Sequence, residues 1–161
     1  MIIIGIDPGL ATTGFGVIKK EGSSHKLIAY GAIKTLAKIN LAIRLDQIYK
    51  DIQHIINKYS PDVAAVEDLF FNVNVSSALQ VGHARGVSLL SLTQAGLSVS
   101  SYTPPQVKMA ICGYGHAQKN QVQYMVQKLL GLDFIPKPVD AADALAIAIC
   151  HSHYVKINSI S

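Results

Sequence analysis

Cysteine and charge are scarce in this chain of 161 residues. Cys112 and Cys150 are its only cysteines and form no CxxC spacing, which argues against a zinc site and against a disulfide framework. We therefore expect a reducing, cytoplasmic compartment. Charged residues make up 15% of the sequence and hydrophobic residues 50%, a balance that excludes a disordered chain.

Signals for export or membrane insertion are also missing. The run Met1–Ile6 has no basic region before it and stops at Asp7, so it predicts a buried strand and not a signal peptide. Residues 86–107 carry no charge, but their many Ser and Thr residues and two prolines exclude a transmembrane helix. Because no repeat, low-complexity tract or linker interrupts the chain, we expect residues 1–161 to form a single domain.

The spacing of apolar residues predicts five strands and five helices. The predicted strands are Met1–Asp7, Gly14–Lys19, Leu27–Ile33, Val63–Glu67 and Leu97–Tyr102, and the predicted helices are Leu41–Tyr59, Ala78–Gln94, Gln106–Cys112, Gln118–Leu130 and Val139–Tyr154. The later strands return by helical crossovers and must pair in parallel with the first. We therefore expect an α/β fold with a five-stranded mixed sheet flanked by helices.

Four acidic residues are candidates for chemistry. Asp7 and Glu67 end the first and fourth predicted strands, at the sheet edge where α/β active sites gather, although Asp7 also suits a turn and Glu67 a solvated strand end. Asp140 and Asp143 interrupt an otherwise apolar helix. An alternative makes Asp140 the helix N-cap and Asp143 a first-turn acid, which accounts for only two of the four.

Asp140 and Asp143 lie three residues apart and so share one helical face. If that face covers the strand ends, four carboxylates converge, and their repulsion calls for divalent cations, with Mg²⁺ expected. Paired cations activate water and stabilise a leaving oxygen, which predicts hydrolysis of a nucleic-acid backbone. The net charge of +4 is compatible with such a polyanion. No Ser-His-Asp or Cys-His arrangement and no histidine metal spacing are visible in the sequence.

Five motifs, in matching order and spacing, resemble the RuvC family of Holliday-junction resolvases. They are GIDPGLATTGFGVI from residue 5, AVEDLFF from 65, ALQVGHARG from 78, GYGHAQKNQVQYMV from 113 and DAADALAIAICH from 140. His83 and His116 stand where other members often carry different residues, which affects fine DNA contacts and not the chemistry.

The resemblance implies a ribonuclease H-like fold and assigns the four acids, Asp7, Glu67, Asp140 and Asp143, as catalytic ligands of two Mg²⁺ ions, with Mn²⁺ as a candidate substitute. It implies a homodimer that binds four-way DNA junctions in recombination and repair and cuts two strands of like polarity symmetrically. It also implies the branch-migration proteins RuvA and RuvB as partners.

Four residues near the predicted site are candidate DNA contacts. Phe70 matches the family's phenylalanine that stacks on or wedges beside a base, although Phe70 and Phe71 also suit packing under a loop. Lys108 and Lys119 flank a glycine-bearing loop and match backbone ligands of the family, with Arg85 as a third. The alternative for the lysines is ordinary solvated surface.

The second helix is the expected dimer contact. Gly82 and Gly86 share one face, where missing side chains allow close approach, with Leu79, Leu89 and Leu90 nearby. A two-fold dimer would present two identical sites to symmetry-related strands. The alternative is that this helix packs wholly within its own core.

Two other functions compete with the nuclease. An actin-like or hexokinase-like ATP site would use Asp7, Gly9, Thr12, Thr13 and Gly14, but such enzymes need a second lobe. A protein that binds junctions without cutting them would not require a complete set of acids. A measurement of ATP binding separates the first alternative from the nuclease, and a measurement of junction cleavage separates the second.

Overall fold

The computed structural model describes residues 1–68 and 74–155. Its strands are β1 Ile2–Asp7, β2 Thr12–Glu21, β3 Ser24–Lys34, β4 Val63–Glu67 and β5 Ser98–Tyr102. Its helices are α1 Leu41–Tyr59, α2 Val75–Gln94, α3 Pro104–Cys112, α4 Lys119–Leu129 and α5 Val139–Tyr154. Every predicted strand and helix therefore has a counterpart in the structure.

The strands form one mixed sheet in the order β3-β2-β1-β4-β5. The first three strands pair antiparallel, whereas β4 is parallel to β1 and β5 is parallel to β4. This confirms the crossover argument made from the sequence. The carboxyl ends of the parallel strands lie at one edge, which brings Asp7 and Glu67 to the same end of the sheet.

Each face of the sheet has its own hydrophobic core, because successive side chains of a strand point to opposite faces. Ile3 packs on the face covered by α3, α4 and α5, whereas the next residue, Ile4, packs on the face covered by α1 and α2. Both isoleucines have no exposed surface. No helix within residues 1–68 and 74–155 combines the length and apolarity that crossing a bilayer requires.

Two helices start earlier than the apolar pattern predicts. α2 begins at Val75 because the side chain of Asn74 accepts a hydrogen bond from the Ser76 amide at 3.0 Å. α3 begins at Pro104, since proline is favoured in a first helical turn. There the Gln106 side chain also accepts a hydrogen bond from the Thr103 amide at 2.9 Å.

Candidate active site

Glycines in β1 and β2 allow α5 to lie directly on the sheet. A Cβ at Gly14 would stand 2.0 Å from the carbonyl oxygen of Asp140, and one at Gly5 would stand 2.1 Å from that of Ala144. Side chains at these two positions would lift the helix. The close approach brings the first turns of α5, with Asp140 and Asp143, to the strand end that carries Asp7.

Asp7 lies among the other three acids. Its carboxyl group shares a hydrogen bond with that of Glu67. The pKa of Asp7 is raised to about 8, mainly by burial and then by the charges of Glu67, Asp143 and Asp140. Burial also raises the pKa of Glu67, although its hydrogen bond with Asp7 opposes the change. Burial and mutual repulsion therefore both disfavour the simultaneous ionisation of the two carboxyl groups.

Lys119 supplies positive charge to the same cluster. Its Nζ lies 2.8 Å from Oδ2 of Asp143. Burial raises the pKa of Asp143, and the hydrogen bond and charge of Lys119 oppose that rise. The side chain of Lys119 is 61% exposed while that of Asp143 is 24% exposed, so the amine reaches from the surface into the cluster.

A cleft of about 280 Å³ opens beside this cluster. Its lining residues are Glu67, Pro104, Val107, Lys108, Lys119, Val122, Asp143 and Ala146. Two acids, Glu67 and Asp143, therefore line the same cleft as two lysines. The charge of Lys108, like that of Lys119, lowers the pKa of Glu67. Such a cleft suits a phosphodiester, since the lysines attract the phosphate and carboxylate oxygens are ligands for divalent cations.

Asp140 is not the N-cap of α5. Pro138 occupies that position in extended backbone, with ψ 174°, and its carbonyl accepts the first helical hydrogen bonds from Ala141 and Ala142. Asp140 stands in the first turn, and Asp143 lies beyond it. The alternative that assigned the N-cap to Asp140 is therefore wrong, although its carboxylate still benefits from the helix dipole.

The acids fit a divalent metal in chemistry, although they contact one another and an ammonium group in this structure. In the described ranges, no three His, Cys, Asp or Glu side chains are already arranged so that they could hold a metal ion. Instead, the carboxyl group of Asp7 faces that of Glu67, and Asp143 binds Lys119. The ammonium group offsets negative charge, as a metal cation would, and carboxylate oxygens are the ligands that Mg²⁺ prefers.

Within residues 1–68 and 74–155, Arg85 contacts Glu67, Ser101 and Asp68. Its Nε donates to the carbonyl of Glu67 at 3.1 Å, and its Nη2 lies 2.9 Å from Oγ of Ser101 and 3.0 Å from Oδ1 of Asp68. A DNA contact by this residue stays a prediction. Phe70 and Phe71 lie outside the described residues.

The expected dimer residues on α2 differ in exposure. Leu79 and Leu90 are 60% and 51% exposed, and a Cβ at Gly82 or Gly86 would meet no atom within 4 Å. These four positions form an outward stripe. Leu89 instead packs against the core beneath α1 and α2. One side of α2 therefore packs in the core and another faces outward, and the dimer contact stays a prediction.

The residues of the turn considered for ATP binding contact other parts of the chain. Thr13 has no exposed surface, and its hydroxyl donates to the carbonyl of Gly9 at 2.7 Å. Gly14 lies beneath the backbone of α5. The hydroxyl and the glycine that would cradle a phosphate therefore stabilise the turn and admit the helix.

The family model described as "Crossover junction endodeoxyribonuclease RuvC" matches residues 3–151. The chain belongs to this family. The RuvC of Halothermothrix orenii, a crossover junction endodeoxyribonuclease, is 54% identical over 158 residues, covering 98% of this chain and 96% of that protein.

Solved RuvC structures share this fold. Thermus thermophilus RuvC is 38% identical, with a TM-score of 0.89 and coverage of 96% of this chain and 95% of that one. The same protein in complex with Holliday junction substrate is 37% identical, with a TM-score of 0.90 and coverage of 96% and 94%. The predicted ribonuclease H-like fold is confirmed, and the chain is a metal-dependent endodeoxyribonuclease of the RuvC family.

Proposed function

We propose that this RuvC resolves Holliday junctions by symmetric hydrolysis of phosphodiester bonds in two strands of like polarity, during recombination and repair. The observation that carries the proposal is the placement of Asp7 beside Glu67, Asp140 and Asp143, all of which raise its pKa. Cleavage of a synthetic four-way junction in Mg²⁺, by the wild type and by Asp7→Asn, tests it.

The four acids would hold two Mg²⁺ ions, with Mn²⁺ as a substitute. When bound, such ions activate water and stabilise the leaving oxygen of a phosphodiester. The chain's own contribution is to keep carboxylates from β1, β4 and α5 at one place, in a half-buried setting where their charge repulsion favours cations over protons as the pH rises. Lys119 would leave Asp143 and turn its exposed amine toward phosphate.

The DNA would run over α3 and α4. Residues 69–132 contain no Asp or Glu, and their basic residues include Lys108 and Lys119, both of which line the cleft beside the acids. A surface without acids attracts the phosphate backbone with little opposing charge. Phe70 would stack on or wedge beside a base near the point of cleavage.

Replacing Lys108 or Lys119 with Gln should weaken junction binding and lower its dependence on salt. Each lysine that contacts a phosphate contributes about one unit to the slope of log affinity against log salt concentration. The slope is measured by fluorescence anisotropy without divalent cations. Lys58→Gln on α1, which covers the other face of the sheet, is the control. Unchanged slopes in both cleft variants would remove these lysines from the interface.

The enzyme would act as a homodimer through the outward stripe of α2. Leu79→Glu should raise the dimer dissociation constant at least about tenfold, because a charge would be buried against the partner. Leu36→Glu is the matched control, since Leu36 is 63% exposed and lies on the segment between β3 and α1. Sedimentation equilibrium measures both. A wild type that is monomeric, or equal dissociation constants in both variants, would contradict this contact.

The setting of the enzyme follows from the family resemblance and from its cysteines. Cys112 and Cys150 are both free, as a reducing cytoplasm would keep them. Within it, RuvA and RuvB would deliver the junction. Residues 1–161 would act as a single nuclease domain.

A further inference from the structure

Arg85 is placed where it can control the position of Glu67 without touching its carboxylate. It lies on α2, and its side chain is 19% exposed. Its Nε donates to the main-chain carbonyl of Glu67 at 3.1 Å. Glu67 is the last residue of β4, and the next amide, that of Asp68, still donates to the Tyr102 carbonyl at 2.8 Å.

A second nitrogen of Arg85, Nη2, contacts two further side chains. Nη2 lies 2.9 Å from Oγ of Ser101 on β5 and 3.0 Å from Oδ1 of Asp68. The guanidinium therefore ties the end of β4 to the neighbouring strand and to α2. Its planar shape holds several acceptors in fixed directions, which a lysine amine cannot reproduce.

The guanidinium of Arg85 contacts the main chain of Glu67 and the side chains of Ser101 and Asp68, and not the carboxylates of the acid cluster. The cations that lower the pKa of the Glu67 carboxyl are Lys119 and Lys108, which line the cleft. Three acceptors of its own chain face Nε and Nη2, which leaves only the two donors of Nη1 for other partners. These contacts distinguish Arg85 from the two lysines.

We propose that Arg85 is a positioning residue, which fixes the backbone of Glu67 so that its carboxylate points toward the metal site. The inference rests on the proposed function, because it takes Glu67 as a metal ligand. Residues that orient metal ligands typically contribute about 10- to 100-fold to metal affinity or activity. Loss of Arg85 should therefore weaken metal binding more than DNA binding.

The test measures Mg²⁺ affinity and junction affinity separately. Calorimetric titration with Mg²⁺ alone should give a dissociation constant at least about tenfold higher for Arg85→Lys than for the wild type. The salt slope of junction binding without divalent cations should stay unchanged, whereas Lys119→Gln lowers it. Ser101→Ala removes one of the three acceptors and should shift Mg²⁺ affinity in the same direction by a smaller factor.

Unchanged Mg²⁺ affinity in Arg85→Lys and in Ser101→Ala would overturn the proposal, whatever the rate of cleavage. A loss of salt slope without a loss of metal affinity would make Arg85 a phosphate ligand instead. Glu67→Gln is the reference: if it too binds Mg²⁺ like the wild type, the assignment of Glu67 as a ligand fails. If only Glu67→Gln loses Mg²⁺ affinity, Glu67 remains a metal ligand and the proposed role of Arg85 is wrong.

Discussion

Asp7→Asn should bind a four-way junction as tightly as the wild type and cut it at least about 1,000-fold more slowly, a loss of about 4 kcal/mol of transition-state stabilisation. The reason is that Asp7 is the acid on which the charges of the other three converge. Asn keeps the shape of the side chain but removes the charge that would attract a cation. Single-turnover cleavage in Mg²⁺ and binding without divalent cations measure the two effects.

The variant should remain folded, which separates chemistry from stability. The ordinary pKa of Asp7 is 3.8, and the fold raises it to about 8, so the folded chain loses stability as the pH rises between these values. The Asn side chain does not ionise, so the variant does not lose this stability as the pH rises. Its Tm at pH 8 without divalent cations should be no lower than that of the wild type. Equal cleavage by both proteins would refute the assigned chemistry.

Local patterns were sufficient to predict the elements, because burial imposes a period of two on strands and of 3.6 on helices. α1 and α5 have the predicted bounds. The starts of α2 and α3 were missed because Asn74 and Pro104 act through capping and backbone restriction, which apolar spacing does not register.

The four acids could be selected from the sequence because of their positions in the predicted elements. Asp7 and Glu67 end parallel strands, and the apolar composition of α5 marks Asp140 and Asp143 as exceptions. Contacts between residues that are distant in the chain could not be predicted from the sequence. Nothing near Lys119 or Arg85 in the chain indicates that one reaches Asp143 and the other holds the Glu67 carbonyl.

Gly14 shows how one residue can be misassigned without tertiary information. Beside Thr13 it resembles part of a phosphate-binding turn, yet its structural role is to let α5 approach β2. A glycine within a strand does signal close backbone approach, but it does not identify the element that approaches. The approach of Asp140 to the strand end that carries Asp7 therefore depends on a residue that has no functional group.

Gly14→Ala should destabilise the fold by about 1–3 kcal/mol and disable cleavage, because its Cβ would stand 2.0 Å from the carbonyl oxygen of Asp140. α5 would have to move, and Asp140 and Asp143 would move with it. At this chain length the loss corresponds to a fall in Tm of about 2–12 °C. Thermal unfolding and single-turnover cleavage measure the two losses.

Gly115→Ala is the matched control for stability, since a Cβ there would lie at an ordinary 3.5 Å from its nearest neighbour, the carbonyl oxygen of Pro105. Its Tm should stay near that of the wild type. Cleavage by Gly14→Ala is then compared at a temperature where the variant is fully folded. Wild-type rates there would mean that the acids tolerate displacement of α5, and the close contact between helix and sheet would be a matter of stability alone.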